Sequence, residues 1–236
     1  MSTDFANTGP IPVTVYPLEY PAEVRIPASA YNWEGFRAWA LSDDYPNRGS
    51  ITFVGGELII DMSPESIENH NFIKIEITAA VYRLVRELKL GRVFADRALL
   101  SNPFAKVSNE PDATFASFAT LNAGRCQITQ SNRQGIKDEL VGCPDWVLEV
   151  VSTTSRRKDN KLLRDAYFNA GIPEYWIVDA LGDKIDFQIL MRSQTAYEPV
   201  EPRDGWLRSS VFSRSFQLTR RHDEDGLWQY TLGIKE

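Results

Sequence analysis

The chain has 236 residues and a formal net charge of −6, with 43% apolar and 25% charged residues, enough for one domain to bury a sizeable core. No apolar run is long enough to cross a bilayer, and the opening MSTDFANTGPIPV lacks a basic stretch followed by an apolar one, so no membrane role is expected and the expected compartment is cytoplasmic. Two cysteines, Cys126 and Cys143, exclude a disulfide scaffold and lack metal-ligand spacing. The acidic balance argues against a basic nucleic-acid-binding module but leaves room for an enzyme whose positive charge is local.

Residues 1–28 are proline-rich and weakly periodic, and read as an extended arm preceding a single domain over 29–236. A short helix is expected over 29–44, where Trp33, Phe36 and Ala40 recur at helical spacing. Residues 51–62 (ITFVGGELIIDM) form a hairpin pattern around Gly55 and Gly56. Residues 64–90 carry the longest helical signal, with Ile73, Ile77, Val81, Leu84 and Leu88 at three- and four-residue intervals and Gly91 as the stop. Strands are expected over 92–96 and 112–118, whereas 119–141 is polar and aperiodic and reads as a long loop.

The segment 144–180 gives the clearest pattern. Residues 145–151 (DWVLEVV) read as a strand buried on both faces, and Ser152 to Ser155 can cap a helix beginning near Arg156. Leu162 or Leu163, with Ala166, Tyr167 and Ala170, makes an apolar stripe, and Gly171 and Pro173 end the helix. Residues 174–178 (EYWIV) return as a second buried strand, most simply parallel to the first. Residue 184 onward reads as a β-rich extension, with strand candidates over 184–191, 196–200, 206–212, 216–219 and 227–232.

The chemistry-bearing residues are acidic. Glu149 sits mid-strand between Leu148 and Val150, where an unpaired charge is expensive. Asp112 starts a strand and Glu57 follows the Gly-Gly turn, although each alone reads as an exposed turn or strand-end residue. Carboxylates on separate strands suit a hard divalent cation such as Mg²⁺. Phosphodiester hydrolysis also needs a cation for the developing charge. Arg156, Arg157, Lys158, Lys161 and Arg164 follow the Glu149 strand, although a solvated basic face is the commoner meaning of such a run. His70 is a candidate proton shuttle or substrate contact, with capping or packing the commoner role for a lone histidine at a helix start.

The sequences PDWVLEVVSTTSRRKDNKLLRDAYFNAGIPEYWIVD, GGELIIDMSPESIENHNFIKIEI and EPDATF together resemble the Uma family of restriction-endonuclease-like proteins, a bacterial branch of the PD-(D/E)XK nucleases, over roughly residues 30–190. The resemblance implies an α/β core with a central mixed sheet flanked by helices. It implies an Mg²⁺- or Mn²⁺-dependent endodeoxyribonuclease with Asp112 and Glu149 as the metal-holding acids and Glu57 as an accessory acid. The superfamily lysine two residues after the second acid is replaced by Val151, and the family's helix position is occupied by Leu163. Lys161 or Lys158 must then supply the cation, and Lys161, deeper in the helix, is the first expectation. The expected partners are DNA and a second copy of the chain in a homodimer. The alternatives are a catalytically silent DNA- or protein-binding module of the same fold, or an interaction protein built on the β-rich extension.

Overall fold

The computed structural model describes residues 24–46, 49–130 and 137–236. Most of the expected arm over 1–28 therefore lies outside the described residues. A 3₁₀ turn, Ala28–Tyr31, leads into α1 (Trp33–Ala40), whose first turn is capped by the Asn32 side chain accepting from Gly35 N at 2.9 Å. The hairpin follows as β1 (Ser50–Val54) and β2 (Glu57–Asp61), turning through Gly55 and Gly56 at φ 59° and 77°, left-handed conformations that glycine adopts without a Cβ clash.

The long helical signal divides. Residues 62–66 are not helical, a π-helical turn spans Ile67–Asn71, and α2 runs from Phe72–Glu87. Gly91 is not its stop: Lys89 takes the left-handed φ of 53°, and Gly91 opens β3 (Gly91–Ala95). Glycine is needed there for another reason, since a Cβ would lie 2.2 Å from the Ala116 carbonyl oxygen on the neighbouring strand. Next come β4 (Leu99–Asn102), β5 (Val107–Asn109) and β6 (Ala113–Ser117), with α3 (Phe118–Asn122) taking the end of the expected 112–118 strand.

The expected loop over 119–141 is mostly ordered structure: α3, then β7 (Cys126–Gln130) and β8 (Lys137–Gly142), an antiparallel pair. Among its described residues only Thr120, Cys126, Glu139 and Leu140 are buried, two of them polar, so no alternation of apolar and polar residues marks the strands. The central unit is β9 (Trp146–Val150), a π-helical stretch Lys158–Leu163, α4 (Arg164–Asn169) and β10 (Glu174–Asp179), with Gly171 at φ 83° closing the helix. The chain ends through β11 (Asp186–Arg192), β12 (Tyr197–Pro199), β13 (Leu207–Ser209), β14 (Arg214–His222) and β15 (Trp228–Lys235).

Three sheets result, in the orders β2-β1-β5-β4-β8-β7, β12-β11-β10-β9-β6-β3 and β13-β14-β15. In the second sheet β9 and β10 are parallel, as their shared turn-helix-turn connection requires, while β6 runs antiparallel to β9. Alternation along β9 divides the core. Trp146, Leu148 and Val150 pack with the inner stripe of α2 and with Phe212 and Phe216 from the C-terminal region. Val147 and Val151 face α4 and the first sheet. Glu149 shares that second side by strand period, and the whole of β9 is buried. The third sheet is fastened to the π-helical turn by Glu68 and to α2 by Glu76, which accept from Trp228 N and Leu232 N at 2.8 Å each. Among the described residues no helix is long and apolar enough to cross a membrane.

Candidate active site

The antiparallel register pairs Ala113 with Leu148, and Asp112 N donates to the Leu148 carbonyl at 3.1 Å. One step further along the ladder, Asp112 stands opposite Glu149 and on the same face. Both line a cleft of about 250 Å³, closed elsewhere by the β2 end, the π-helical turn before α2 and the turn after β9. Asp112 is 8% exposed and Glu149 3% exposed, so two carboxylates are held side by side away from bulk water.

Each has a distinct set of partners. Asp112 Oδ2 accepts from Val150 N at 2.6 Å, and His70 Nε2 lies 3.6 Å from the same oxygen. Glu149 Oε1 accepts from Tyr167 Oη at 2.7 Å and from Asn109 Nδ2 at 2.8 Å. Burial pushes both carboxyls up, Glu149 well above the usual range; His70 and Lys74 oppose the rise at Asp112, and Lys158 opposes it at both.

Of the two lysines expected after β9, Lys158 is the one at the cleft. It lines the cleft, with Nζ 3.4 Å from Asp159 Oδ1, and the charges of Glu149, Asp159 and Asp112 raise its pKa against the opposing effect of burial. Lys161 is exposed and does not line the cleft. Depth in the helix, the ground for expecting Lys161 first, does not bring that side chain to the cleft. The stretch from Lys158–Leu163 is π-helical, so ideal α-helical spacing misplaces its side chains. Its start is pinned by Asp159, which is 1% exposed and accepts from Ser155 Oγ, while Tyr175 Oη donates to the Asp159 carbonyl at 3.1 Å.

Glu57 stands apart. It is exposed, outside the cleft lining, and accepts two hydrogen bonds from Arg157, at 2.8 and 2.6 Å, which hold its carboxyl below the usual range. With Thr154 Oγ1 donating to Asp61 Oδ2 at 2.6 Å, that pair clips the hairpin to the turn after β9. His70 is 7% exposed and sits between two acids, with Nδ1 3.4 Å from Glu65 Oε2.

Several residues of the site carry no motif. Glu65, Lys74, Asn109, Asp159 and Tyr167 all touch it. A signal for two of them exists: Lys74 and Asp159 are charged residues three or four positions from Ile77 and Leu163, on stripes that are otherwise apolar.

The donor set suits a divalent cation. Glu65, His70 and Asp112 bring ligand atoms within 4.8 Å of one another, and Asp112 with Glu149 offers hard oxygen ligands. Two buried polar atoms at the site, His70 Nδ1 and Asp159 Oδ1, make no hydrogen bond, although Glu65 Oε2 and Lys158 Nζ respectively lie 3.4 Å from them.

A family model, Uma2, described as "Putative restriction endonuclease", matches residues 33–221. Among solved structures, the chain resembles a protein described as a "putative nuclease belonging to DUF820" from Anabaena variabilis ATCC 29413. The TM-score is 0.54 at 16% identity, covering 77% of this chain and 90% of that one. Among curated proteins nothing matches. The fold is accordingly the restriction-endonuclease-like α/β core, extended by the C-terminal sheet.

Proposed function

This chain belongs to the Uma2 family, and from that premise we propose that it is a metal-dependent endodeoxyribonuclease hydrolysing phosphodiester bonds in DNA. One observation carries the reading: Asp112 and Glu149 stand opposite one another on neighbouring strands, buried, in the cleft that Lys158 also lines. Two such carboxylates side by side repel each other and resist ionisation together. That is an arrangement without benefit to folding and with an evident use in chemistry.

Asp112 and Glu149 would hold Mg²⁺ or Mn²⁺. When bound, such an ion polarises the scissile phosphate and makes an attacking water more acidic. The protein's own groups do the rest. Tyr167 and Asn109 fix Glu149 through Oε1, and Val150 N fixes Asp112 through Oδ2, so neither acid can turn away from the cleft. Lys158, steadied by Asp159, presents an ammonium to orient the water and to offset charge on the phosphate oxygens. His70, which also lines the cleft, lies 3.6 Å from Asp112 Oδ2, where it would steady that carboxylate or meet the substrate. A homodimer would supply two such clefts for the two strands of a duplex, which sedimentation at micromolar concentration tests.

The decisive experiment is nicking of supercoiled plasmid by the unmodified chain and by Glu149→Ala, with and without Mg²⁺ or Mn²⁺. Metal-dependent nicking lost in the variant is expected. No cleavage of any duplex or single strand by the unmodified chain would replace this reading with a silent binding module of the same fold.

A further inference from the structure

Lys74 is 6% exposed, and its ammonium lies among three carboxylates. Both oxygens of Glu65 accept from Nζ at 2.8 Å, Asp96 Oδ2 lies at 3.3 Å and Asp112 Oδ1 at 3.7 Å. Lys74 and His70 are four residues apart on one helix face, and they bracket Asp112 from its two oxygens. A buried lysine is costly unless its charge is met, and here three acids meet it.

Glu65, His70 and Asp112 could in principle hold a divalent ion of their own beside the Asp112–Glu149 pair. Lys74 stands against that. It already engages two of the three candidate ligands, and an ion sharing Glu65 and Asp112 with an ammonium a few ångströms away would be repelled by it. The commitment of Glu65 to Lys74 also accounts for His70 Nδ1, which lies 3.4 Å from Glu65 Oε2 yet makes no hydrogen bond.

We propose that the Lys74 ammonium is a built-in cation occupying the position of a second metal ion, so that this chain loads one divalent ion, on Asp112 and Glu149. The proposal rests on the metal-nuclease reading and deepens it: Lys74 is a positioning residue, holding Asp112 from behind while contributing fixed positive charge where another site would need a second ion. A consequence is that loading depends on a single binding event, without cooperativity in metal concentration.

The test is Mn²⁺ binding to the full chain without DNA, followed by calorimetry and by the paramagnetic resonance of free Mn²⁺. The unmodified chain should bind one ion, lost in Glu149→Gln. Lys74→Met should bind a second ion, through the freed Glu65, His70 and Asp112, and Lys74→Arg should return to one. Two ions on the unmodified chain, or one on a folded Lys74→Met, would overturn the proposal while leaving a metal nuclease intact. So would a single ion that survives Glu149→Gln. The stoichiometry of the unmodified chain decides even where Lys74→Met does not fold. No ion bound at all would overturn this proposal, and plasmid nicking, in which DNA phosphate can complete the ion's ligands, decides the nuclease reading separately.

Discussion

Glu149 and Glu174 lie on the neighbouring parallel strands β9 and β10, and both are almost wholly buried, at 3% and 0% exposure. They face opposite sides of the sheet. Glu174 is enclosed by neutral donors: Trp176 Nε1 at 2.6 Å, Ser209 Oγ at 2.6 Å, Ser210 N at 2.9 Å and Val211 N at 3.2 Å. Those donors come largely from the segment around β13, so the carboxylate ties the C-terminal extension to the central sheet. Glu149 has two neutral donors, both on one oxygen, and otherwise meets charge: Asp112, Asp159 and Lys158. Burial raises both carboxyls, yet only Glu149 opens onto a cleft. Burial of an acid therefore does not by itself mark a site. What separates the two is whether the charge is met by fixed neutral donors or by other charges at a cavity wall.

The largest effect expected from breaking this contrast is on Glu149. Glu149→Gln keeps an acceptor for Tyr167 and Asn109 but removes the charge, and should lower plasmid nicking by on the order of 10³-fold with the thermal transition little changed. A parallel loss of fold would mean that Glu149, like Glu174, is structural.

Glu174→Ala should do the reverse. It strands several buried donors at once, and a loss of about 3–5 kcal/mol in urea unfolding is expected. Activity per folded molecule should persist, because the residue is remote from the cleft lining. A stable variant with weakened nicking would erase the distinction between the two glutamates.

Lys158→Ala should depress turnover by about 10²-fold, the scale of one lost electrostatic contact in the transition state. Lys161→Ala, an exposed side chain outside the cleft, should retain full activity. Equal losses in both variants, or none in either, would remove Lys158 from the chemistry.

The smallest effect is on pH dependence. Burial raises the Glu174 carboxyl despite its donors, so the folded state binds its proton more tightly than the unfolded state does. Its contribution is most favourable at low pH, and it is lost as pH rises from the ordinary carboxylate value through the raised one. Comparing urea midpoints of the unmodified chain and Glu174→Gln across that window should show a shallower decline in the variant. Identical slopes would mean that the donors offset burial completely.

Much of the site was legible because it is local. The run from Pro144 to Ala180 declares its strands and helix through apolar spacing, and the charge at Glu149 stands out against it. Asp112 was legible at the start of its strand, beside Pro111. The β7–β8 pair was not, because its outward faces are polar and its pairing is decided by a partner strand rather than by its own sequence.

The sequence by itself determined the parallel β9–β10 unit, the two acids and the presence of cations nearby, since each depends on patterning within a short stretch. Only the tertiary structure decided which cations those are. Two π-helical stretches, Ile67–Asn71 and Lys158–Leu163, flank the cleft and alter the helical register there. The first presents His70 and the second Lys158, while Lys74, on the helix that continues the first, reaches carboxylates that lie 9, 22 and 38 residues away in the chain. Contacts of that kind carry no local spacing signal. They exist because packing α2 against the central sheet leaves a buried ammonium no solvent, and the three carboxylates are what the fold offers in its place.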